Sequence, residues 1–202
     1  MRIFLSSLFA LVFLGCASYP RKNGFESVKT IQEETLNPYF SDVSKDYIYR
    51  AKIEAFDKTF GGLFIVKKLG PAQHRIVFTT EMGNTIFDFT FQGDDFKVNR
   101  ILKEMDRKIL LNILKRDLKA LIAEHSPVLQ TFNDNGDIVY ATKILSKKHY
   151  FYRTEGLLKK IVRVGNGKEK VNFIFSGIEE DLAGKIEILH NIFPLTLTLK
   201  RI

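Results

Sequence analysis

The sequence predicts an α+β fold in which a strongly curved antiparallel sheet packs against one long amphipathic helix. Two runs of short apolar segments are broken by turn residues such as Gly70-Pro71, Gly93-Asp94 and Asn135-Gly136, and a single stretch with apolar residues at helical spacing lies between them. Strands joined by hairpins make antiparallel sheets, and one helix laid on a curved sheet is an economical way to bury both.

The N-terminus carries a separate signal. Met1-Arg2 is a short positive start, residues 3–14 are apolar apart from Ser6 and Ser7, and Gly15-Cys16 follows. A charged start, a short apolar run and a small residue before the cut mark a secretory signal peptide. The run is shorter than the roughly 20 apolar residues that span a bilayer. Residues 1–15 are therefore expected to be removed. Cys16 is the only cysteine, so no disulfide can form within the chain and an apolar core must supply its stability. With 45% apolar and 27% charged residues, the composition suits such a core. The net charge of +8 in a secreted chain points to anionic lipid or an acidic partner, and nucleic acid is not expected.

Residues 17–46 hold Pro20, Gly24 and Pro38 and show no sustained period, so they read as a tether with a short helix over 31–36. Over residues 47–55, Tyr47, Tyr49, Ala51, Ile53 and Ala55 alternate with Arg50, Lys52 and Glu54, the pattern of a strand with one wet face. Residues 59–68 are apolar on both faces, and Gly61-Gly62 within them predicts a bulge or bend. Strands at 74–80, 85–91 and 96–98 follow, joined by Met82-Gly83-Asn84 and by residues 92–95, with Phe87, Phe89 and Phe91 on one face. One helix is expected over about 99–124, where Leu102, Met105, Ile109, Ile113 and Leu110, Leu114, Leu118, Leu121 recur at helical spacing. Its other face carries Lys103, Arg107, Lys108, Lys115, Arg116 and Lys119, with Asp117 among them; a break near Met105-Asp106 would make Asp106 a cap. Strands resume at 128–132 and 138–145 around Asn135-Gly136, then at 149–153, 157–164, 171–175, 185–190 and 195–200.

Phe13-Leu14-Gly15-Cys16 resembles the lipobox of bacterial lipoproteins. That resemblance implies cleavage before Cys16 and lipidation of its thiol and amine. The strands Tyr47-Ile48-Tyr49-Arg50-Ala51-Lys52-Ile53, Phe60-Gly61-Gly62-Leu63-Phe64-Ile65-Val66-Lys67, Arg75-Ile76-Val77-Phe78 and Phe87-Asp88-Phe89, following a lipobox and a polar segment, resemble the LolA/LolB superfamily, particularly its LolB-like lipoproteins. The resemblance implies a single half-barrel domain over 47–202, an unclosed β-barrel with a hydrophobic cavity for acyl chains between sheet and helix. It implies a monomer anchored to the membrane through acylated Cys16, with acyl chains, lipoproteins and a periplasmic carrier protein as partners. The outer membrane, facing the periplasm, is the expected location, and Ala17 beside the anchor fits that sorting. An exposed loop with Leu69 and Pro71 is the counterpart of the family's membrane-contact loop.

The 18 phenylalanines fit this picture. Ile53, Phe60, Phe64, Val66, Phe87, Phe89, Phe91, Phe173 and Phe175 lie on strands that a curved sheet can turn inward, either to line a lipid cavity or to make the core. No catalytic pattern is found. His74, His125, His149 and His190 lack metal-ligand spacing and read as surface or satisfied histidines; Gly165-Asn166-Gly167 reads as a turn. Neither an enzyme activity nor a cofactor or metal is expected. The basic helix face is either solvated or docks on anionic headgroups or an acidic partner. Two functions remain open from the sequence: a lipid- or lipoprotein-binding module with a hollow interior, and a structural or assembly lipoprotein with a filled one.

Overall fold

The computed structural model describes residues 18–202; the signal segment 1–15, Cys16 and Ala17 lie outside the described residues. In chain order the elements are α1 (Tyr19–Lys22), β1 (Glu26–Val28), β2 (Glu34–Leu36), β3 (Asp46–Ala55), β4 (Lys58–Gly70), β5 (Gln73–Thr79), β6 (Thr85–Gln92) and β7 (Asp95–Ile101). Then come α2 (Lys108–Ile122), β8 (His125–Pro127), β9 (Gln130–Asp134), β10 (Asp137–Ile144), β11 (Lys147–Thr154), β12 (Leu157–Gly165), β13 (Lys168–Glu179), β14 (Leu182–His190) and β15 (Leu195–Arg201). Thirteen strands form one sheet in the order β1-β9-β10-β11-β12-β13-β14-β15-β3-β4-β5-β6-β7, and β2 pairs with β8 in a separate ribbon. The sheet ends at β1 and β7, which do not pair with each other, so the barrel is unclosed.

Packing shows that the sheet is curved. At about 4.8 Å between strands, a flat sheet of this size would be roughly 60 Å wide, against about 10–12 Å for a helix. Yet Leu118 and Leu121 of α2 share one continuous core with Phe89 of β6, Ile53 of β3 and Phe151 of β11. Only a sheet that wraps around α2 brings those strands into one core.

Several expected elements appear with their expected faces. In β3, Tyr47, Tyr49, Ala51, Ile53 and Ala55 are buried and the residues between them are exposed. The β9–β10 hairpin turns at Asn135 and Gly136, both with positive φ (49° and 96°), as a tight twisted hairpin requires. Gly61-Gly62 makes no bulge: the register of β3 with β4 runs unbroken from Asp46↔Lys67 to Ala55↔Lys58. Gly62 instead allows a close approach, since a Cβ there would collide with the Thr79 carbonyl oxygen.

The long helix expected over 99–124 is corrected to a 15-residue α2. Residues 99–101 extend β7, where Ile101 pairs with Phe87 and the Asn99 amide donates to Asp88 (3.0 Å) and Thr90 (2.8 Å). Sheet pairing captures the start of the helical pattern, and Met105 is buried in the connecting turn. Arg107, not Asp106, is the N-cap residue, and it makes no side-chain cap bond.

The stretch 17–46 read as a tether is, from residue 18 onward, part of the packed domain. The ring of Tyr19 in α1 lies 4.7 Å from Tyr150 on the outer face of the sheet; its hydroxyl is 2.6 Å from the Tyr152 hydroxyl and donates to Glu169 at 2.7 Å. Strand β1 pairs with β9, and residues 34–36, expected in a short helix, pair with β8. Tyr39 and Phe40 are 1% exposed inside the half-barrel, and Asn37 donates to the Leu121 carbonyl at 2.8 Å. Each short segment contributes one or two anchors, too few to produce a period.

This packing predicts that Phe40→Ala destabilises the protein by about 3–5 kcal/mol through the cavity it leaves. A spacer residue would leave the urea midpoint unchanged, whereas Phe40→Ala is expected to lower it clearly.

Candidate functional site

The structure brings the nine proposed cavity residues together on the inner wall. Ile53, Phe64, Val66, Phe87, Phe89, Phe91 and Phe173 are at most 1% exposed and Phe175 is 2% exposed; Phe60 is half-buried at one end. Their rings pack on one another and on their neighbours: Phe87 stacks on Phe89 at 4.5 Å, Phe78 lies 5.5 Å from Phe87, and Phe96 lies 5.1 Å from both Phe89 and Phe91. A side chain lining a water-sized void would keep accessible surface, and these keep almost none. In this state the interior is a packed core, filled as protein interiors ordinarily are.

The strand registers give the half-barrel two ends. At one end lie the turns at 71–72, 93–94, 155–156 and 180–181, and the N-terminal segment plugs it. The Tyr39 hydroxyl donates to the Leu158 carbonyl, its ring lies 4.7 Å from Phe175, and Phe40 lies 5.2 Å from Tyr47. His74 Nε2 is 3.0 Å from the Phe40 carbonyl oxygen, and burial holds the His74 pKa below its ordinary value. Lys68 and Glu124 close the rim with a 2.6 Å ion pair. Leu69 (47% exposed) and Pro71 project into solvent at the tip of the β4–β5 hairpin, next to this plugged end.

At the other end, two clefts flank α2. A cleft of about 80 Å³ lies between α2 and the β3–β4 hairpin, with Ala55, Phe60 and Leu110 beneath a rim of Asp57, Lys58, Glu104 and Arg107. A cleft of about 280 Å³ lies between α2 and the turns of β10–β15, lined by Ile113, Arg116, Arg163, Lys170, His190 and Phe193 among others. Phe56, which lines the first cleft, and Phe193, which lines the second, meet at 6.2 Å.

Beneath the second cleft is a polar cluster that the sequence reading missed. His190 Nε2 is 2.8 Å from Asp117 Oδ2, its Nδ1 is 3.0 Å from the Leu195 carbonyl, and Arg163 Nε is 4.0 Å from Asp117 Oδ1. His149 is 1% exposed, with Nδ1 2.9 Å from the Lys147 carbonyl and Nε2 unpartnered. Burial, helped by the positive Arg163, pushes its pKa down to about 4. Asp117, which the sequence pattern assigns to the basic face of the helix, is 2% exposed. Its spacing was the available signal: three or four residues separate it from Ile113, Leu114 and Leu121, which puts it on the apolar stripe. The basic face is partly engaged, since Lys119 donates to the Gly93 carbonyl at 2.6 Å and Lys115 lies 5.7 Å over the Phe96 ring. Among the described residues no cluster of potential metal ligands is found. The half-barrel thus combines a packed, mainly apolar interior with a basic cleft at its unplugged end.

No family model and no curated protein matches the chain. Among solved structures, it is similar to a LolA superfamily protein from Nitrosomonas europaea, with a TM-score of 0.51 and 10% identity over 81% of this chain and 87% of that one. The likeness is one of fold: the chain has the LolA/LolB-like unclosed half-barrel that its strands resembled.

His149 sets a pH dependence. Between its folded pKa of about 4 and its ordinary 6.5, the unfolded chain binds a proton that the folded chain refuses. The stability is fully present above that window and is lost as pH falls through it, by about 3 kcal/mol at the acid end. Urea midpoints at pH 7.5 and 4.5 should therefore differ strongly, and His149→Gln should shrink the difference.

Proposed function

We propose that this chain is a lipid-anchored envelope protein that takes up an acyl chain, of a lipid or a lipoprotein, between its curved sheet and α2. One observation carries the reading: a mainly apolar, largely aromatic inner wall, with its few buried polar groups gathered toward its two ends, is covered by a single helix held mainly by contacts without direction. Apart from the Asn37 amide, which donates to the Leu121 carbonyl, no side chain outside α2 is bonded to its backbone among the described residues, and its polar ties to the sheet are few, chiefly Asp117 to His190 and Lys119 to Gly93. A helix held in this way can move as a rigid body. An acyl chain can replace its apolar contacts, with burial worth about 0.8 kcal/mol per methylene. The LolA-like fold supports the same reading.

Anchoring rests on the lipobox ending at Cys16. Among the described residues no helix is long and apolar enough to cross a membrane. Cys16 is three residues before Tyr19, which is docked on the sheet, and three residues span at most about 11 Å. In this reading the domain rests against the bilayer, and the exposed Leu69-Pro71 tip is available to touch a membrane. An outer-membrane location facing the periplasm, and a role in lipoprotein localisation, belong to the same proposal. The filled interior favours a second reading, an assembly lipoprotein that binds another envelope protein and takes no ligand.

Native mass spectrometry separates the two readings, using the full chain in a steroid-based non-ionic detergent with no alkyl tail to compete. The first reading expects one alkyl chain bound per protein and faster amide exchange along α2 on binding. A folded protein that takes up no alkyl chain would leave the assembly reading. In a bacterial host, an alkyne-palmitate label is expected to mark the wild-type chain and not Cys16→Ser; equal labelling of both would refute the anchor.

A further inference from the structure

We infer that the cleft between α2 and the β10–β15 turns is a binding site for a phosphate group, seated on Arg116, Lys147, Arg163 and Lys170. The ten residues lining this cleft include these four cations and no carboxylate. The neighbouring cleft makes the contrast, because Asp57 and Glu104 balance Lys58 and Arg107 there. Among the described residues, Arg116, Lys147 and Lys170 form no ion pair.

Arg163 is the strongest element of the site. Its side chain is 12% exposed, and its Nε has no hydrogen-bond partner. The nearest carboxylate oxygen, Asp117 Oδ1, is itself without a hydrogen-bond partner but lies 4.0 Å away, beyond hydrogen-bond reach, while Asp117 Oδ2 holds His190 at 2.8 Å. Burial and the nearby positive Arg116 both weaken the hold of Arg163 on its proton, and Asp117 only partly opposes them. A buried, under-neutralised guanidinium beside further cations calls for an anion. Phosphate suits it best: its several acceptor oxygens can take paired N–H donors from both guanidinium forks and still meet the lysines.

The same cleft is walled by Ile113, Val164, Ile192 and Phe193, so the site is amphipathic. Its volume of about 280 Å³ accommodates a phosphate and the first carbons of a chain. It opens beside α2 at the unplugged end of the half-barrel. A phospholipid headgroup seated there would direct its tail along α2 toward the Phe-lined interior. Only this placement of the tail rests on the acyl-chain reading; the phosphate site stands on the cations alone.

The test compares octyl phosphate, octyl glucoside and inorganic phosphate for binding to the full chain in the same steroid-based detergent, by calorimetry. Octyl phosphate is expected to bind at least about tenfold more tightly than octyl glucoside, because charge-assisted hydrogen bonds are the stronger ones. The double variant Arg116→Gln/Lys170→Gln, whose sites are only half-buried, should keep the fold and lose that advantage without changing octyl glucoside binding. Arg163→Gln should do the same more strongly. Inorganic phosphate binding as tightly as octyl phosphate would identify free phosphate as the ligand, and much weaker binding would identify a lipid headgroup. Equal affinity for the two alkyl probes, or an advantage that survives both variants, overturns the phosphate site while octyl glucoside still reports on the interior. Failure of both phosphate probes to bind overturns it as well.

Discussion

The pairing of β15 with β3 is the contact on which the rest of the structure depends. It runs from Leu195↔Ala55 to Arg201↔Tyr49 and joins the last strand of the chain to the first long one. Without it there would be two separate meanders, each with one apolar face exposed to water. With it, thirteen strands become one sheet whose inner face is too broad for a single helix unless the sheet curls around it. Curvature, the enclosed aromatic wall and the two clefts at the open end all follow from that closure.

The wall is a store of apolar contacts with little direction. Phenylalanine rings on β4, β5, β6 and β7 pack edge to face and in one stacked pair, and α2 lies over them. Such contacts keep their free energy when one apolar partner replaces another, which is what the proposed uptake of an acyl chain requires of a filled interior. The directional contacts lie at the two ends: Tyr39, Phe40 and His74 at the plugged end, and Asp117 with His190 at the open one. An interior of this kind would be expected to open at the end where the polar ties are few.

The N-terminal segment gives the fold a second role for aromatic residues. Tyr19 and Phe25 cover Phe132, Tyr150 and Tyr152 on the outer face, while Tyr39 and Phe40 enter the interior. One stretch of chain therefore clamps both faces of the sheet. In an anchored protein, this arrangement would couple the attachment point to the barrel wall rather than leave it on a loose strap.

The sequence by itself determined the local elements: the alternation of β3, the Asn135-Gly136 hairpin, the apolar stripe of α2 and the inward row of Phe87, Phe89 and Phe91. These depend on neighbours two to four residues apart, and that spacing is written in the chain. It also carried the resemblance to the LolA/LolB-like fold. Only the tertiary structure decided the rest. It started the helix at Lys108 and not near residue 99, because sheet pairing competed for residues 99–101, and it packed residues 19–40 into the domain through single anchors with no period. It buried Asp117 against His190 and Arg163, residues far apart in sequence, below a cleft lined by cations without a carboxylate. Whether the aromatic rows enclosed a void or filled one was also settled there. Packing density depends on how all the side chains meet, and no pattern within a single strand encodes it.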